Sequence, residues 1–417
     1  MKFSVITLGC TLNRAEGEIM KNILIKKGYQ YTENPDESEI LIINTCTVKG
    51  PSESKAIKLV NKYKDKKLIL AGCLVQHQPE LFKGYPLIGL DHIEEVDKVL
   101  EDYSNGKIDE LIDRKNINKL LPSVDQYPIK IIILQEGCLW NCLYCATKLA
   151  RGNAKSYPPE YIYKEVRDAK LKGLKIIYFT GTDLATYGYD LNIDLADLLF
   201  GLKDIKGEYY VRVGMANPGI LNKFIDKLLD SYDNENIFKF FHIPVQSGSN
   251  SVLKTMGRGY IIEDFYELVE KIRKRYYEGT IATDIIVGYP TETEEDFEKT
   301  LDLLKTLNPD VVNISRFFPR PKTSAEKLKQ LPMKIVNDRS RKIHELVREI
   351  SLEKNKKYLQ KIFDIFVDEI GKEKSYIGRT MNYRPVVIES ESDILGKFIN
   401  VEITNVKSNF LIGKIKI

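Results

Sequence analysis

Gly137-Cys138-Leu139-Trp140-Asn141-Cys142-Leu143-Tyr144-Cys145 follows directly on the apolar run Ile129 to Leu134. The run reads as a buried strand, so the C-x3-C-x2-C spacing places three thiols on the loop that leaves its carboxyl end. Three soft ligands this close can hold three irons of a 4Fe-4S cluster and leave the fourth open to a substrate, as an open metal position does in catalytic sites. The alternative is a zinc site completed by His or Asp, although structural zinc prefers four closed ligands and paired C-x2-C spacings. His77, His92, His242 and His344 are isolated and match no ligand spacing, so they read as structural.

Working outward, further strand-like runs are Lys175 to Thr180, Tyr209 to Met215, Phe238 to Ile243, Thr280 to Val287 and Asp310 to Ser315. Helical patterns fill the gaps at Glu160 to Lys172, Leu195 to Leu202, Ile220 to Ser231, Ile262 to Arg275 and Glu294 to Thr306. Six strand-helix repeats predict a partial or full parallel barrel with its site at the carboxyl ends of the strands. The first hundred residues alternate in the same way, which predicts a three-layer α/β domain on a parallel sheet. In it Cys10 follows Phe3 to Leu8, Cys46 follows Ile40 to Ile43, and Cys73 follows Leu68 to Leu70. Strand ends of a parallel sheet share one edge, so these three thiols converge and could hold a second cluster, the alternative being three buried cysteines acting as small hydrophobes.

The stretch Ile93 to Asn116 and the loop around Pro122 read as a linker. After Pro332 comes a basic helical pattern, Lys334 to Gln360, and then Lys361 to Ile417, which alternates as strands broken by Gly, Asn and Ser. The runs Phe363 to Val367, Tyr383 to Glu389, Phe398 to Thr404 and Phe410 to Ile417 fit a small antiparallel barrel of four or five strands. The domains expected are 1–118, 124–355 and 356–417.

Composition sets the outer limits. In 417 residues, 43% apolar and 29% charged, neither disorder nor a fibrous repeat is a live reading. A net charge of +4 is too mild for a protein that coats nucleic acid by bulk electrostatics, so any such contact is local. No run approaches the roughly 18 apolar residues of a membrane span, and Met1 to Glu18 turns polar too early for a secretory leader, so a cytoplasmic protein is expected.

Taken together the chain resembles the radical S-adenosylmethionine (SAM) methylthiotransferases, of the branch that modifies tRNA. The resemblance rests on the C-x3-C-x2-C loop and on the cysteine contexts Gly9-Cys10, Asn44-Thr45-Cys46 and Gly72-Cys73. Further matches are Leu149-Ala150-Arg151-Gly152, Thr180-Gly181-Thr182-Asp183, Pro244 to Ser249 and Thr283 to Gly288, and the C-terminal segment resembles the TRAM RNA-binding barrel. Val213 to Pro218 and Asn313 to Phe317 look most like the threonylcarbamoyladenosine (t6A) branch. The chain departs from the family pattern at Arg320-Pro321-Lys322-Thr323, where Lys322 stands for the usual Gly, and at Pro290-Thr291-Glu292-Thr293-Glu294.

The resemblance implies two 4Fe-4S clusters, one on Cys138, Cys142 and Cys145 and one on Cys10, Cys46 and Cys73. It implies SAM cleaved to a 5′-deoxyadenosyl radical, and transfer of a methylthio group to C2 of t6A at position 37 of a tRNA, in the anticodon stem-loop. Tyr144, Thr180, Gly181, Asp183, Gln246 and Ser247 are the residues expected near SAM, with Trp140 covering the cluster or packing in the core. An electron donor such as a flavodoxin or ferredoxin and a sulfur source are implied partners, and the chain is expected to be monomeric. Basic residues Lys334, Arg339, Arg341, Lys342, Arg348, Lys354, Lys356 and Lys357 are a solvated face or a tRNA-backbone contact, and Tyr376, Tyr383 and Phe410 read as barrel core. The competing readings are an isopentenyladenosine tRNA or a ribosomal-protein side chain as substrate, and a non-catalytic iron-sulfur protein. Against the ribosomal-protein reading, whose barrel should be more acidic, Lys361 to Ile417 holds nine Lys and Arg to eight Asp and Glu.

Overall fold

The computed structural model describes residues 1–48, 50–115 and 120–416. Its first unit is a six-stranded, wholly parallel sheet in the order Gln30–Tyr31, Lys2–Thr7, Ile40–Thr45, Lys67–Gly72, Leu87–Ile88, Glu110–Leu111. Alternation along the central strands sorts their side chains onto two faces. Ile40, Ile42 and Ile69 pack with Ile19 and Met20 of helix Thr11–Lys26, while Leu41, Ile43, Leu68 and Leu70 pack with Ala56 and Val60 of helix Gly50–Lys62. Both faces are covered, as a parallel sheet requires.

The expected linker is part of this unit. Val96, Val99 and Leu100 of helix Val96–Ser104 are buried in the core with residues of Thr11–Lys26, and Glu110–Leu111 adds the sixth strand. Their spacing is an apolar helical stripe that the surrounding charges conceal. The expected domain boundary at residue 118 lies outside the described residues.

The second unit has six parallel strands, Ile129–Glu136, Ile176–Gly181, Tyr210–Val213, Phe240–His242, Thr280–Val287 and Val311–Arg316. A single bridge, Val211 to Ile237, joins the third strand to the segment that leads into the fourth. Among the described residues the first and sixth strands do not pair, so the barrel is partial. The expected helix Ile220 to Ser231 is divided into Pro218–Leu221, a 3-10 turn Asn222–Phe224 and Ile225–Ser231.

Helix Met333–Lys356 then leads to a closed five-stranded barrel, Ile362–Ile370, Ser375–Arg379, Pro385–Glu389, Phe398–Val406 and Leu411–Ile415. One of its pairings, Pro385–Glu389 with Leu411–Ile415, is parallel, so it is not purely antiparallel as expected. The small barrel seals the amino end of the large one. Tyr383 is at this seam rather than in the small barrel's core, with its ring 5.1 Å from Phe238 and 5.0 Å from Phe240, and Phe398 lies 5.2 Å from Tyr210. Arg339 and Lys354 of the basic helix are buried in ion pairs with Glu292 and Asp310, so they belong to the interior and not to a solvated face. Among the described residues no helix is long and apolar enough to cross a membrane.

Candidate active site at the carboxyl edges of two sheets

The three N-terminal cysteines leave adjacent strands at one edge. Cys10 caps helix Thr11–Lys26, Cys46 follows Ile40–Thr45, and Cys73 opens the short helix Cys73–His77. The preceding glycine makes the approach possible: Gly9 has φ +108°, and a Cβ there would stand 2.7 Å from Cys46 Sγ. Asn13 binds the edge together, its Nδ2 donating to Thr45 O at 3.0 Å and its Oδ1 lying 3.8 Å from Cys73 Sγ. Burial raises the Cys46 thiol and pushes the Cys73 thiol well above the usual range.

The second triad lies on the loop after Ile129–Glu136. Gly137, at φ +73°, lets the loop close on Asn153, whose carbonyl would meet a Cβ at 1.9 Å. Cys138 Sγ accepts from Trp140 N at 3.4 Å and lies 3.9 Å from Asp183 Oδ2. Cys142 Sγ accepts from Arg258 Nη1 at 3.4 Å, and Cys145 caps helix Ala146–Arg151. Burial, then the nearby Asp183 carboxylate, pushes the Cys138 thiol up to about 12. Thiols bind metal as thiolates, so loading either triad has to expel protons. Among the described residues no three His, Cys, Asp or Glu groups converge as ligands of a single ion. A cluster, by contrast, gives each thiolate a different iron.

The two triads belong to different domains yet lie against each other. Helix Cys73–His77 packs on Ala146–Arg151, with Cys73 in one apolar cluster with Leu90 and Ala150. Arg151 locks this contact. Its guanidinium takes both oxygens of buried Glu16 at 2.8 and 2.9 Å and reaches Glu136 at 3.3 Å. A second tie runs from the loop after the sixth strand, where buried Arg320 pairs with Glu53 at 2.5 Å and Lys322 Nζ donates to His77 O at 3.1 Å. Lys322 takes this place at φ +65°, a conformation that suits the glycine of the family pattern better.

The residues expected near SAM divide. Thr180 and Gly181 end the second strand, and Asp183 lies beside Cys138 with Oδ1 accepting from Ala185 N and Asn217 N at 3.2 and 2.9 Å. Tyr144 is half-buried, edge-on to Tyr289. Gln246, at φ +76°, bridges to Ile285 at the fifth strand. Ser247 is turned away, its Oγ 3.5 Å from Thr300 Oγ1 on helix Glu294–Leu307. The Trp140 ring lies on Gly219 and Gly259. Sequence reasoning missed Asn13, Glu16 and Arg258, and assigned no task to Arg151, which lies in a motif that matches the family, or to Arg320, which lies where the chain departs from it.

Buried polar atoms without a partner among the described residues mark both triads: Trp140 Nε1 and Thr182 Oγ1 near the loop, and Thr47 Oγ1 and Arg320 Nη2 near Cys46. Spare donors beside gathered thiols suit groups rich in acceptors, such as a cluster's sulfides or a carboxylate. The residues present therefore fit the implied cofactors.

Comparison with known proteins agrees. Residues 132–304 match the radical SAM superfamily, 2–88 an uncharacterised protein family, UPF0004, and 356–416 the TRAM domain. In solved structures the fold is similar to the radical SAM methyltransferase TsrM from Kitasatospora setae, with cobalamin and a 4Fe-4S cluster bound (TM-score 0.57, 14% identity, 78% of this chain and 76% of that one). It is also similar to the cobalamin-dependent SAM radical enzyme OxsB (TM-score 0.52, 14%, 84% and 56%), a likeness of fold alone. The fold and the cysteine loop thus define a radical SAM transferase, a class that carries SAM and a 4Fe-4S cluster.

Full-length relatives narrow the class. A Pyrococcus horikoshii protein, named a probable threonylcarbamoyladenosine tRNA methylthiotransferase, is 39% identical over 100% of this chain and 99% of its own. A Drosophila pseudoobscura protein, named a threonylcarbamoyladenosine tRNA methylthiotransferase, is 35% identical over 99% and 77%. The chain belongs to the family of threonylcarbamoyladenosine tRNA methylthiotransferases.

Proposed function

We propose that the chain adds a methylthio group to C2 of t6A beside the anticodon of a tRNA, giving the 2-methylthio nucleoside, with SAM and two 4Fe-4S clusters. The observation that carries the reading is the packing of the helix that opens at Cys73 on the helix that follows Cys145. A sulfur-donating centre and a radical-generating centre have to lie within reach of one substrate base, and that contact puts the two thiol triads on facing edges. Relatives over the whole chain supply the substrate.

In this reading Cys138, Cys142 and Cys145 would hold the cluster that supplies the electron for SAM cleavage, and Cys10, Cys46 and Cys73 would hold the one that supplies sulfur. Asp183, with Oδ1 fixed by two backbone N–H groups, presents Oδ2 to the cationic amine of SAM. Arg258 is pinned to Pro244 O at 3.0 Å and fixes the Cys142 turn of the loop. Tyr144, Thr180, Gly181 and Gln246 form the walls, while Ser247 holds the fourth-strand loop to its neighbouring helix. The units 1–118, 124–355 and 356–417 then carry sulfur donation, radical generation and RNA binding. A flavodoxin or ferredoxin as electron donor, a separate sulfur source, a monomeric state and a cytoplasmic location belong to the same reading.

The test is a single assay. Anaerobically reconstituted protein is given SAM, a reductant and tRNA that carries t6A, and the digested nucleosides are weighed by mass spectrometry. The methylthio product is expected, with little from tRNA that lacks t6A. A product on isopentenyladenosine instead, or none with SAM cleaved, would overturn the substrate.

A further inference from the structure

At the far end of the barrel from the cysteines, a cavity of about 270 Å³ opens between the linking helix, the small barrel and the amino ends of the last two strands. Its walls include Thr280, Asp310, Asn313, Asn355, Arg384 and Phe410. Asp310 is buried and takes three cations, Arg273 at 3.0 Å, Lys354 at 2.6 Å and Arg384 at 2.5 Å. Three positive groups on one carboxylate leave the cluster with positive charge to spare. Burial, together with the two arginines, holds the Lys354 ammonium down to about 8 although Asp310 lies beside it, so one carboxylate does not offset the three cations.

Two further atoms point the same way. Among the described residues Arg384 Nε and Thr280 Oγ1 have no hydrogen-bond partner, although Arg384 is only 7% exposed and Thr280 1%. Buried polar groups are almost always paired, so two on one cavity wall mark a missing ligand. Excess positive charge and spare donors suit a phosphate, but the space is larger than a phosphate needs. The half-buried ring of Phe410 suits a flat group such as a base, whereas the Asn355 amide is already engaged with Arg384 and with the Lys407 and Ser408 carbonyls.

We propose that this cavity binds one nucleotide, its phosphate held by Arg384 and Thr280 and its base set against Phe410. The nucleotide is either part of a bound tRNA, which rests on the function proposed above, or a free mononucleotide. Strand Val311–Arg316 enters the cavity wall with its first three residues, and the other three carry it to the carboxyl edge, a span of roughly 10 Å at about 3.3 Å per residue. An RNA nucleotide bound here would be a second hold on the substrate, apart from the reacting base.

The experiment uses the full chain and adenosine 5′-monophosphate, with adenosine and inorganic phosphate as controls, by titration calorimetry, and tRNA by filter binding. Thr280→Val keeps the shape and removes only the unpartnered hydroxyl, so it should weaken the mononucleotide about tenfold while leaving thermal stability unchanged or raised. Phe410→Ala should weaken the mononucleotide and spare phosphate. If both variants also lose tRNA affinity and the mononucleotide competes with tRNA, the source is RNA. If tRNA binding is unaffected, the source is a free nucleotide. No binding of the mononucleotide to wild type, or binding that Thr280→Val and Phe410→Ala both leave unchanged, would overturn the site. A wild type that binds the mononucleotide but modifies no tRNA would instead count against the proposed function.

Discussion

Glu16→Gln is the substitution that most directly probes how the two thiol triads are held together. Glu16 and Arg151 are 0% and 1% exposed at their side chains and meet through two parallel bonds across the domain seam. The change keeps the volume but puts an amide N–H against a guanidinium N–H, and it leaves Glu136, at 3.3 Å, as the remaining carboxylate on Arg151. Two unit charges about 4 Å apart attract by about 4 kcal/mol at an effective dielectric near 20. Breaking a buried pair from one side costs about 3 to 5 kcal/mol. Because Glu136 still compensates the arginine, the lower figure, about 3 kcal/mol, is expected.

A chain of three domains does not unfold in one step, so the cost is best read locally. In hydrogen-deuterium exchange the helix Thr11–Lys26 should lose protection by about 150-fold, the equivalent of about 3 kcal/mol at 1.36 kcal/mol per factor of ten. The strands Thr280–Val287 and Val311–Arg316 should not change. Methylthio transfer should fall more than SAM cleavage, which needs only the triad after the first barrel strand. A loss of protection under about threefold, or one spread evenly over the chain, would refute the idea that this pair holds the seam.

Three other outcomes are expected. Cys46→Ala should still cleave SAM under reductant but transfer no sulfur, whereas Cys142→Ala should do neither; equal loss in both, with circular dichroism unchanged, contradicts the division of labour. Lys239, half-buried with its ammonium held down to about 8 by desolvation, is charged when unfolded and neutral when folded between about pH 8 and 10.5. Wild type should therefore gain about 2 kcal/mol over Lys239→Met across that rise, after allowance for residual exposure, and be parallel to it below pH 8; a falling difference in the urea transition that covers the large barrel would reverse the sign. Deleting Lys361 to Ile417 is a poor test of RNA binding, since it uncovers Phe238 and Phe240 and strips Arg384 from Asp310. Changing exposed Lys372, Lys407 and Lys414 to Gln is cleaner, and each phosphate thereby left without its lysine should lower the salt dependence of tRNA binding by about one while SAM cleavage stays unchanged.

What could be read from the sequence was whatever is local. The cysteine loop is consecutive, and strands such as Thr280–Val287 carry their own apolar runs. The seams are not local. Glu16 and Arg151 are 135 positions apart, and neither a period nor a neighbour marks them as partners. Arg258 meets Cys142 across 116 positions. Arg339 and Lys354 have the sequence environment of a solvated helix face, and only the fold puts Glu292 and Asp310 beside them. Of the four or five strands expected in the small barrel, Ser375–Arg379 is the one no named run covers, since it follows a polar turn, Gly371 to Lys374, that masks where the alternation begins. Cys10, Cys46 and Cys73 were placed correctly at strand ends because parallel topology, once read, forces those ends to one edge.

The ion pairs at the seams raise a question of purpose, because apolar residues would hold the domains at least as firmly. Replacing a buried pair with hydrophobic residues of similar volume is often neutral or stabilising, so Glu16 and Arg151 are poor devices for stability alone. What a forked arginine adds is direction: two parallel bonds fix rotation as well as distance, which a greasy contact allows to slip. Transfer of an atom between centres on different domains depends on that register, and a small misplacement is enough to slow it severely. The double variant Glu16→Met with Arg151→Met separates the two purposes. It should regain the exchange protection that Glu16→Gln loses, and still transfer the methylthio group poorly while cleaving SAM at the wild-type rate. A double variant that is as well protected as wild type and transfers sulfur as fast would show that the pair serves cohesion only, and that alignment of the triads is set by the packing of helix Cys73–His77 on Ala146–Arg151.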